Sequence, residues 1–386
     1  MPICQLPDSL VQEKIPVEAI KANMLSSNLE AIGQFECSNA IINRLYENAK
    51  FSLYSNFVGK PTDCNQRDER LGWAGDVQIA SNFASYVFNT DKFYRDYILD
   101  MNQRRVDGAY TDIAFAGVGG VGNNCWGDAP VILAWNMYLQ YGDKDILAEN
   151  FDRFCEWVDY LAANSDNYIR PGASLEAGIL YDESETGYAL GLAFNLFDEE
   201  MREKASQRLT ILAEYSGYKF CTGYAGLNHL LPVLGDNGQA DTAMKMLETI
   251  TPESLLYIIA SGQTSLPEGM ETLLYSDDGS YTITGSLNHQ AYSGACEYLY
   301  SGILGIKPDE KGPGYKYFSI EPKVAGELTY AKGSLKTQYG IIEVEWHSDE
   351  NGNSLRCVVP ENTTCMIILP NGERAEKEGG EYTFNW

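Results

Sequence analysis

Apolar residues recur at steps of three and four positions through most of residues 39–305, and this periodicity constrains the fold more than any other feature of the sequence. Side chains spaced in this way lie on one face of a helix, which is then buried against a neighbouring element. About ten such stretches follow one another, joined by loops that carry Gly, Asp and Asn. They cover residues 40–54, 77–88, 92–103, 129–141, 146–161, 185–197, 199–214, 223–234, 240–250 and 289–304.

These helices are too irregularly spaced to form a solenoid. No strict repeat of about 34 or 47 residues connects them, whereas stacked helical repeats have such a period. We therefore expect a mainly α fold in which paired helices close into a toroid, a helical barrel over residues 36–308. In the stretch 146–161 the predicted buried stripe consists of Ile146, Leu147, Phe151, Phe154, Cys155, Val158 and Leu161.

The pattern changes after residue 308. Short runs of alternating apolar and polar residues follow, separated by Gly, Asn, Asp and Pro, which is typical of β-strands and tight turns. We predict a small C-terminal all-β sandwich domain over residues 309–386. Residues 1–35 are too few for a domain, and we interpret them as an N-terminal segment that could be left from an upstream β-domain.

Charge excludes two classes of partner. The chain has 54 acidic and 28 basic residues, a net charge of −26, so its surface repels nucleic-acid phosphates and anionic lipid head groups. No apolar stretch approaches the roughly 20 residues that cross a bilayer. We expect no nucleic-acid partner, no membrane partner and a neutral or cationic ligand, and the oligomeric state stays open.

Cysteine and histidine are placed in a way that argues against a metal site. The nine cysteines are scattered, odd in number and never spaced as CxxC, and the three histidines include no pair at i, i+4. We therefore expect reduced thiols, no metal and no cofactor. Since the first residues lack a basic region followed by an apolar one, we also expect a cytoplasmic protein.

The densest polar cluster is TDCNQRDERLGWAGDV, residues 62–77. Opposite charges this close fix the orientation of a carboxyl group and alter its proton affinity, which acid and base catalysis requires. Such a cluster is by itself more often a solvated loop or helix start. The adjacent tryptophan favours a sugar site, because an aromatic face stacks on a sugar ring while charged groups bind its hydroxyls.

Two further segments carry candidate residues. Trp126 lies just before a helix whose N-cap we predict to be Asp128, and it either packs the helix start or faces a ligand. Glu268 and Glu271 lie about 200 residues after the first cluster, close to Asn288 and His289. These acids either occupy an ordinary turn or converge with the first cluster to give the carboxylate pair that hydrolyses glycosides.

The segments DCNQRDERLGWAGD, CWGDAPVILAWNMYLQYGD, ETGYALGLAFNLFDEEMREKASQRL, TGYAGLNHLLPVL and GSLNHQAY, in this order, resemble the α-L-rhamnosidases of glycoside hydrolase family 78. The resemblance covers roughly residues 30–386, and its first motif is highly specific. It implies an (α/α)6 barrel with a C-terminal β-domain. It also implies hydrolysis of terminal α-L-rhamnosyl linkages with inversion, by a general acid and a general base and without a metal at the reacting centre.

The resemblance assigns a role to each candidate residue. Glu69 matches the general acid, and Glu268 matches the general base better than Glu271 does, because of its spacing from His289. Glu69 must carry a proton at working pH, which neighbouring acids favour, and inversion predicts a separation of about 6.5 to 9.5 Å between the two carboxyl groups. The implied hydroxyl ligands are Asp63, Arg67, Asp76 and His289, and the implied stacking residues are Trp73 and Trp126.

Two departures from the family pattern keep other functions open. Relatives have a tryptophan where this chain has Pro267, and residues 162–184 lack a helical segment with Gly-Asp-Trp. One alternative is therefore a catalytically weakened homologue that binds rhamnosylated ligands without turnover. Another is an (α/α)6 glycosidase that uses the same carboxylates on a different sugar.

Overall fold

Among the described residues, helices predominate up to residue 304 and β-strands predominate after it. The computed structural model describes residues 21, 23–117, 119–164, 175–176, 179–180, 183–275, 280–350 and 352–386. Within these ranges, no helix is both long and apolar enough to cross a membrane.

The helices follow the predicted stretches closely. Several regions differ. The short helix at 255–260 was not predicted, the stretch 223–234 forms two short helices, and the helix predicted over 185–197 ends at residue 193. The stretch 289–304 forms a 3-10 helix (Ala291–Cys296) and a π-helical turn (Leu299–Leu304) instead of an α-helix. The α-helices are α1 (Ala40–Asn56), α2 (Ala74–Val87), α3 (Asp91–Gln103), α4 (Ala129–Tyr141), α5 (Lys144–Ala163), α6 (Glu185–Ala193), α7 (Glu199–Tyr215), α8 (Tyr224–Leu227), α9 (Leu230–Asp236), α10 (Ala240–Glu248) and α11 (Leu255–Ala260).

Polar side chains begin several of these helices. Asn39 accepts hydrogen bonds from the backbone N–H groups of Ile41 and Ile42 and so caps α1. Asp128 precedes α4 as predicted, but its side chain caps no N–H group of that helix. Its carboxylate instead accepts hydrogen bonds from Cys125 N (2.8 Å) and Trp157 Nε1 (3.0 Å), which fixes the loop before α4.

The buried face of α5 differs from the predicted stripe. Phe151 and Val158 are 63% and 54% exposed, and Cys155 is exposed as well. The sequence pattern was misleading because Asn150 and Trp157 occupy the inner face of α5. A count of aliphatic side chains gives little weight to a polar residue or a tryptophan. The residues of α5 that are buried are Ile146, Asn150, Phe154 and Trp157.

Glu185, the first residue of α6, is a buried acid whose ionisation should make stability depend on pH. Burial raises its pKa from 4.5 to about 7, although its carboxylate accepts a hydrogen bond from Cys221 N at 2.9 Å. The folded state therefore holds this proton more tightly than the unfolded state. The contribution of Glu185 to the free energy of unfolding is complete below about pH 4.5 and is lost as the pH rises through about 7.

We expect Glu185→Gln to flatten the pH dependence of the free energy of unfolding by up to about 3 kcal/mol between pH 4.5 and 8. Glutamine keeps a hydrogen-bond acceptor but has no proton to lose. Urea unfolding at several pH values measures the slope. Glu199→Gln is the matched control, because Glu199 also lies in the first turn of a helix but is exposed. Equal slopes for wild type and Glu185→Gln would contradict the assignment.

The main sheet has seven strands in the order β1, β10, β11, β12, β9, β8, with β13 also paired to β12. The remaining strands form three separate hairpins, β2 with β3, β4 with β5 and β6 with β7. The strands are β1 (Gly33–Cys37), β2 (Phe57–Val58), β3 (Lys60–Pro61), β4 (Leu175–Glu176), β5 (Ile179–Leu180), β6 (Leu273–Tyr275), β7 (Tyr281–Ile283), β8 (Ile306–Pro308), β9 (Tyr317–Ile320), β10 (Tyr330–Thr337), β11 (Gly340–Asp349), β12 (Gly352–Ile368) and β13 (Arg374–Asn385).

Strand β1, near the start of the described chain, is paired with a strand from the C-terminal region. It pairs antiparallel with β10, so that Gly33 lies opposite Leu335 and Cys37 opposite Ala331. The sheet thus contains residues from before, within and after the predicted barrel of residues 36–308. Strand β8 forms the last three residues of that predicted range and pairs with β9. The predicted boundaries at residues 35 and 308 stay predictions, and the sheet crosses both of them.

The sheet packs directly against the end of the helical region. Trp346 on β11 is fully buried and donates a hydrogen bond from Nε1 to Ile303 O at 2.8 Å. Glycine at position 333 of β10 permits this packing, because a Cβ atom would lie 2.6 Å from the backbone oxygen of Gln34 and 2.3 Å from Leu304 Cδ1. One continuous core therefore extends from the helices into the sheet. Among the described residues, the eight cysteines are free and five of them are buried.

Candidate active site

Three segments that are distant in the sequence meet at the site. They are the loop 62–73 before α2, residues 266–268 and residues 286–290, and backbone pairing joins them, including a bridge between Cys64 and His289. This pairing carries the two acidic segments to one place. The connecting hydrogen bonds are His289 N to Leu266 O (2.8 Å), Glu268 N to Ser286 O (2.8 Å) and Gln290 Nε2 to Thr62 O (2.6 Å).

The loop before α2 is closed by its own backbone and by one carboxylate. Asp63 N donates to Leu71 O at 3.0 Å, and Leu71 N donates to Asp63 Oδ1 at 2.7 Å. Arg70 has φ 53°, in the left-handed region, which turns the chain back on itself. Gly72 permits the close approach that follows, because a Cβ atom would lie 2.4 Å from the ring of Phe115. The loop thus presents Arg67 and Glu69 between two fixed ends.

Arg67 links the two candidate catalytic carboxylates. Its Nη2 contacts Glu69 Oε2 within hydrogen-bonding distance, and its Nη1 lies 2.9 Å from Glu268 Oε2. All three side chains are about one-third exposed, at 33%, 29% and 32% for Arg67, Glu69 and Glu268. Two acids about 200 residues apart in the sequence therefore lie on either side of one guanidinium group.

The remaining carboxylate oxygens distinguish the two acids. Glu69 Oε1 accepts a hydrogen bond from Trp73 Nε1 at 2.8 Å, so both of its oxygens face donors. Glu268 Oε2 accepts a second hydrogen bond from Ser286 N at 2.8 Å. Within the described residues, Glu268 Oε1 accepts no hydrogen bond, and this atom is free to take a proton from water.

Asp63 presents an unsatisfied oxygen beside this pair. Its side chain is 1% exposed, and its Oδ2 has no hydrogen-bond partner among the described residues, since Arg67 Nη2 lies 3.8 Å away. Burial raises the pKa of Asp63 above its ordinary value. A buried oxygen without a partner is costly, and a ligand hydroxyl would satisfy it. This geometry fits the predicted hydroxyl ligand.

Asp76 and His289 form a buried pair beneath the acids. Asp76 lies in the first turn of α2, and its Oδ1 is 3.3 Å from His289 Nε2. Burial, and then the charge of Asp63, raise the pKa of Asp76 to about 8, whereas burial, and then Arg67, lower the pKa of His289 to about 3. Burial thus favours the neutral form of both groups, and because Nδ1 of a neutral His289 accepts from Ala291 N at 3.3 Å, its Nε2 carries the ring proton and faces Asp76.

This pairing bears on the role predicted for His289. The side chain is 3% exposed, and both ring nitrogens already have partners within the protein. A direct bond from His289 to a sugar hydroxyl stays a prediction, and it would require the exchange of one of these partners. In the arrangement seen here, His289 Nε2 faces the carboxyl group of Asp76.

The two predicted stacking residues lie next to the start of α2. Trp73 immediately precedes the helix, and Trp126 packs on Gly75 in its first turn, where a Cβ atom would lie 2.9 Å from the indole. Trp126 Nε1 is buried without a hydrogen-bond partner among the described residues. The loop after α3 thus places Trp126 against Gly75, which follows Trp73 by two positions in the sequence.

The acids of this loop are a poor site for a cation. Ligand atoms of Asp63, Cys64 and Glu69 lie within 4.8 Å of one another. The guanidinium of Arg67 already supplies a positive charge to the two carboxylates, and burial raises the pKa of the Cys64 thiol to about 11. A metal ion would have to compete with this cation and deprotonate the thiol.

Glu271, the alternative base, has a different position. It is exposed, and its carboxylate lies over Gly269, away from the contacts that Arg67 makes with Glu69 and Glu268. Glu268 and Glu271 both line a cavity of about 600 Å³. The structure therefore brings Glu268, and not Glu271, to the guanidinium shared with Glu69.

Two contributors to the site were missed from the sequence. Ser286 holds Glu268 through its backbone N–H group, which no side-chain pattern reveals. Tyr224 donates a hydrogen bond from its hydroxyl to Glu268 O at 2.8 Å. The segment TGYAGLNHL predicted a helix, and nothing in its pattern pointed to a site.

Comparison with known proteins decides the family. Residues 30–178 and 173–303 match the bacterial alpha-L-rhamnosidase 6 hairpin glycosidase domain, and residues 305–384 match the bacterial alpha-L-rhamnosidase C-terminal domain. The chain belongs to the bacterial α-L-rhamnosidase family. Its fold is accordingly the six-hairpin glycosidase fold followed by the C-terminal domain, as the sequence resemblance predicted.

Individual members of the α-L-rhamnosidase family agree with this assignment. The alpha-L-rhamnosidase of Streptomyces avermitilis is 30% identical over 400 residues, which cover 87% of this chain and 38% of that protein. The crystal structure of the S. avermitilis alpha-L-rhamnosidase complexed with L-rhamnose superposes with a TM-score of 0.89 and 27% identity, over 94% of this chain and 43% of that one. The crystal structure of native α-L-rhamnosidase from Aspergillus terreus superposes with a TM-score of 0.85 and 27% identity, over 93% of this chain and 50% of that one. The chain thus spans half or less of the length of these relatives.

Proposed function

We propose that this chain hydrolyses terminal α-L-rhamnosyl linkages with inversion at the anomeric carbon. The observation that carries the proposal is the bridge by Arg67, which brings Glu69 and Glu268 to opposite sides of one cation. Asp63 and Asp76 beside the pair suit the hydroxyl groups of a neutral sugar, and Trp73 and Trp126 offer apolar faces. The negative charge of the site also favours the positive charge that develops on the sugar ring.

The reaction that follows from these positions needs two proton transfers. Glu69 gives a proton to the glycosidic oxygen as the bond from this oxygen to the anomeric carbon breaks. Glu268 Oε1 takes a proton from a water molecule whose oxygen bonds to the same carbon from the opposite face. Glu268 ends protonated and Glu69 ends ionised, and exchange with solvent restores both.

Arg67 gives the unliganded site a definite arrangement of hydrogen bonds and ion pairs. With donors on both of its oxygens, Glu69 is arranged here as a carboxylate acceptor and not as an acid. Sugar hydroxyls that compete for Arg67 would release one oxygen of Glu69 to hold a proton. Arg67 can then stay in contact with Glu268 Oε2 and hold the orientation of the base.

The finer features of the fold belong to the same proposal. The helices are arranged as an (α/α)6 barrel, with the site at one end. The C-terminal sheet folds over into a sandwich at the irregular pairing of β12 with β13 between Val359 and Thr364, since β12 pairs with β11 before this point and with β9 after it. A cytoplasmic location remains part of the proposal as well.

The test is hydrolysis of 4-nitrophenyl α-L-rhamnopyranoside by this chain. We expect release of nitrophenol, with β-L-rhamnose as the first product in the proton NMR spectrum before mutarotation. Release of the α-anomer first would contradict inversion. Turnover of another aryl glycoside in place of the rhamnoside would contradict the sugar specificity.

A second candidate function is binding of rhamnosylated ligands without turnover. Glu69 favours it in this structure, because both of its oxygens are engaged by donors. Pro267, next to Glu268, favours it also, because this position lacks the aromatic face that the family resemblance implies. Calorimetric binding of L-rhamnose together with zero hydrolysis would support this candidate over the enzyme.

A further inference from the structure

The peptide bond that follows Glu268 is held at both of its polar atoms by side chains. Its carbonyl oxygen accepts a hydrogen bond from the hydroxyl of Tyr224 at 2.8 Å. Its N–H group, which belongs to Gly269, donates to Thr272 Oγ1 at 2.9 Å. The preceding peptide bond is held through Glu268 N, which donates to Ser286 O at 2.8 Å. The orientation of the peptide plane that follows Glu268 therefore depends on Tyr224 and Thr272.

Tyr224 comes from a separate and well-supported part of the chain. It is the first residue of α8, which packs against α2 and α6. Its ring centroid lies 6.0 Å from that of His289 and 6.2 Å from that of Tyr292. The phenol thus connects the segment of the base to His289, which contacts Asp76.

We infer that Tyr224 is a positioning residue for the general base. Its hydroxyl fixes the backbone carbonyl of Glu268 and so directs the free Oε1 of that side chain at the attacking water. This inference rests on the proposed function, in which Glu268 is the base. Tyr224 itself need touch neither the water nor the reacting carbon, so its effect should pass entirely through Glu268.

The expected effect of Tyr224→Phe is a selective fall in kcat. The ring and its packing remain, while the hydrogen bond to the carbonyl is lost. A displacement of about 1 Å in a reacting group can cost about 100-fold, so we expect kcat to fall by about 10- to 100-fold. KM should change less than about twofold, because Asp63, Arg67 and Asp76 keep their places.

Tyr382→Phe is the matched control. Its hydroxyl also donates to a backbone carbonyl, that of Glu378, at 2.9 Å, but it lies in β13 of the C-terminal sheet. Removing this hydroxyl should leave kcat and KM unchanged. Thermal unfolding of each variant shows whether the fold survives. If Tyr224→Phe does not fold, Thr272→Val removes the other hydrogen bond of the same peptide plane and should give the same selective fall in kcat.

A double-mutant comparison separates positioning from other roles. In Glu268→Ala, azide can attack the anomeric carbon of an aryl rhamnoside without a base: the carbon–nitrogen bond forms as the aryl oxygen leaves. We expect Tyr224→Phe to change this azide-dependent rate less than about twofold. An equal fall in the wild-type and Glu268→Ala backgrounds, or a rise in KM without a fall in kcat, would overturn the inference. Absence of wild-type turnover would instead overturn the proposed function, and the positioning role with it.

Discussion

Replacing Glu69 with glutamine should lower kcat/KM by about a thousandfold for a rhamnoside whose leaving group is an ordinary alcohol. Glutamine keeps an acceptor for Trp73 Nε1 but has no proton to give to the departing oxygen. The loss should be much smaller with a dinitrophenyl leaving group, because this anion needs little protonation. Steady-state kinetics on both substrates measure the difference.

Asp68→Asn is the matched control for this experiment. Asp68 precedes Glu69 directly, but its side chain is fully exposed and contacts Arg70. We expect its activity to equal that of wild type on both substrates. If Glu69→Gln retained wild-type activity on the alkyl rhamnoside, Glu69 could not be the general acid. An equal loss on both substrates would indicate a role in binding instead.

Replacing Glu268 with glutamine should lower kcat by about 10²- to 10⁴-fold, and equally for good and poor leaving groups. The variant keeps an acceptor for Ser286 N but cannot take a proton from water. Adding azide to Glu268→Ala should restore release of nitrophenol and yield β-L-rhamnosyl azide. Kinetics with several aryl rhamnosides, with NMR of the azide product, test both statements.

Glu271→Gln is the control for the base. Glu271 lines the same cavity as Glu268, but its carboxylate lies over Gly269. We expect its kcat to remain within about threefold of wild type. Loss of activity in Glu271→Gln with retention in Glu268→Gln would reverse the assignment, and an α-configured azide product would exclude attack from the face of Glu268.

The helical region was predictable from the sequence because its apolar spacing is regular. The positions of α1, α3 and α4 follow from this spacing to within two residues at either end. The inner face of α5 does not, since Asn150 and Trp157 are buried there while Phe151 and Val158 are exposed. Periodicity identifies a helix, but only its neighbours decide which face is buried.

The candidate site was predicted only in part. The family pattern selected Glu69 and Glu268, and the structure brings both to Arg67. The family pattern could not show that Asp76 and His289 lie in contact with each other, because that depends on their distance and burial. Nor could it reveal Tyr224, whose contact with Glu268 is made to a backbone atom 44 residues away in the sequence.

The pairing of β1 with β10 limits the order in which the parts of the molecule can fold. These strands meet across about 300 residues of intervening chain, so β1 has no partner until β10 has left the ribosome. During synthesis, Gly33–Cys37 must wait as an unpaired segment while the helices after it assemble. Completion of the sheet is therefore a late step, and a C-terminal fragment expressed alone would present the bare edge of β10 to other chains.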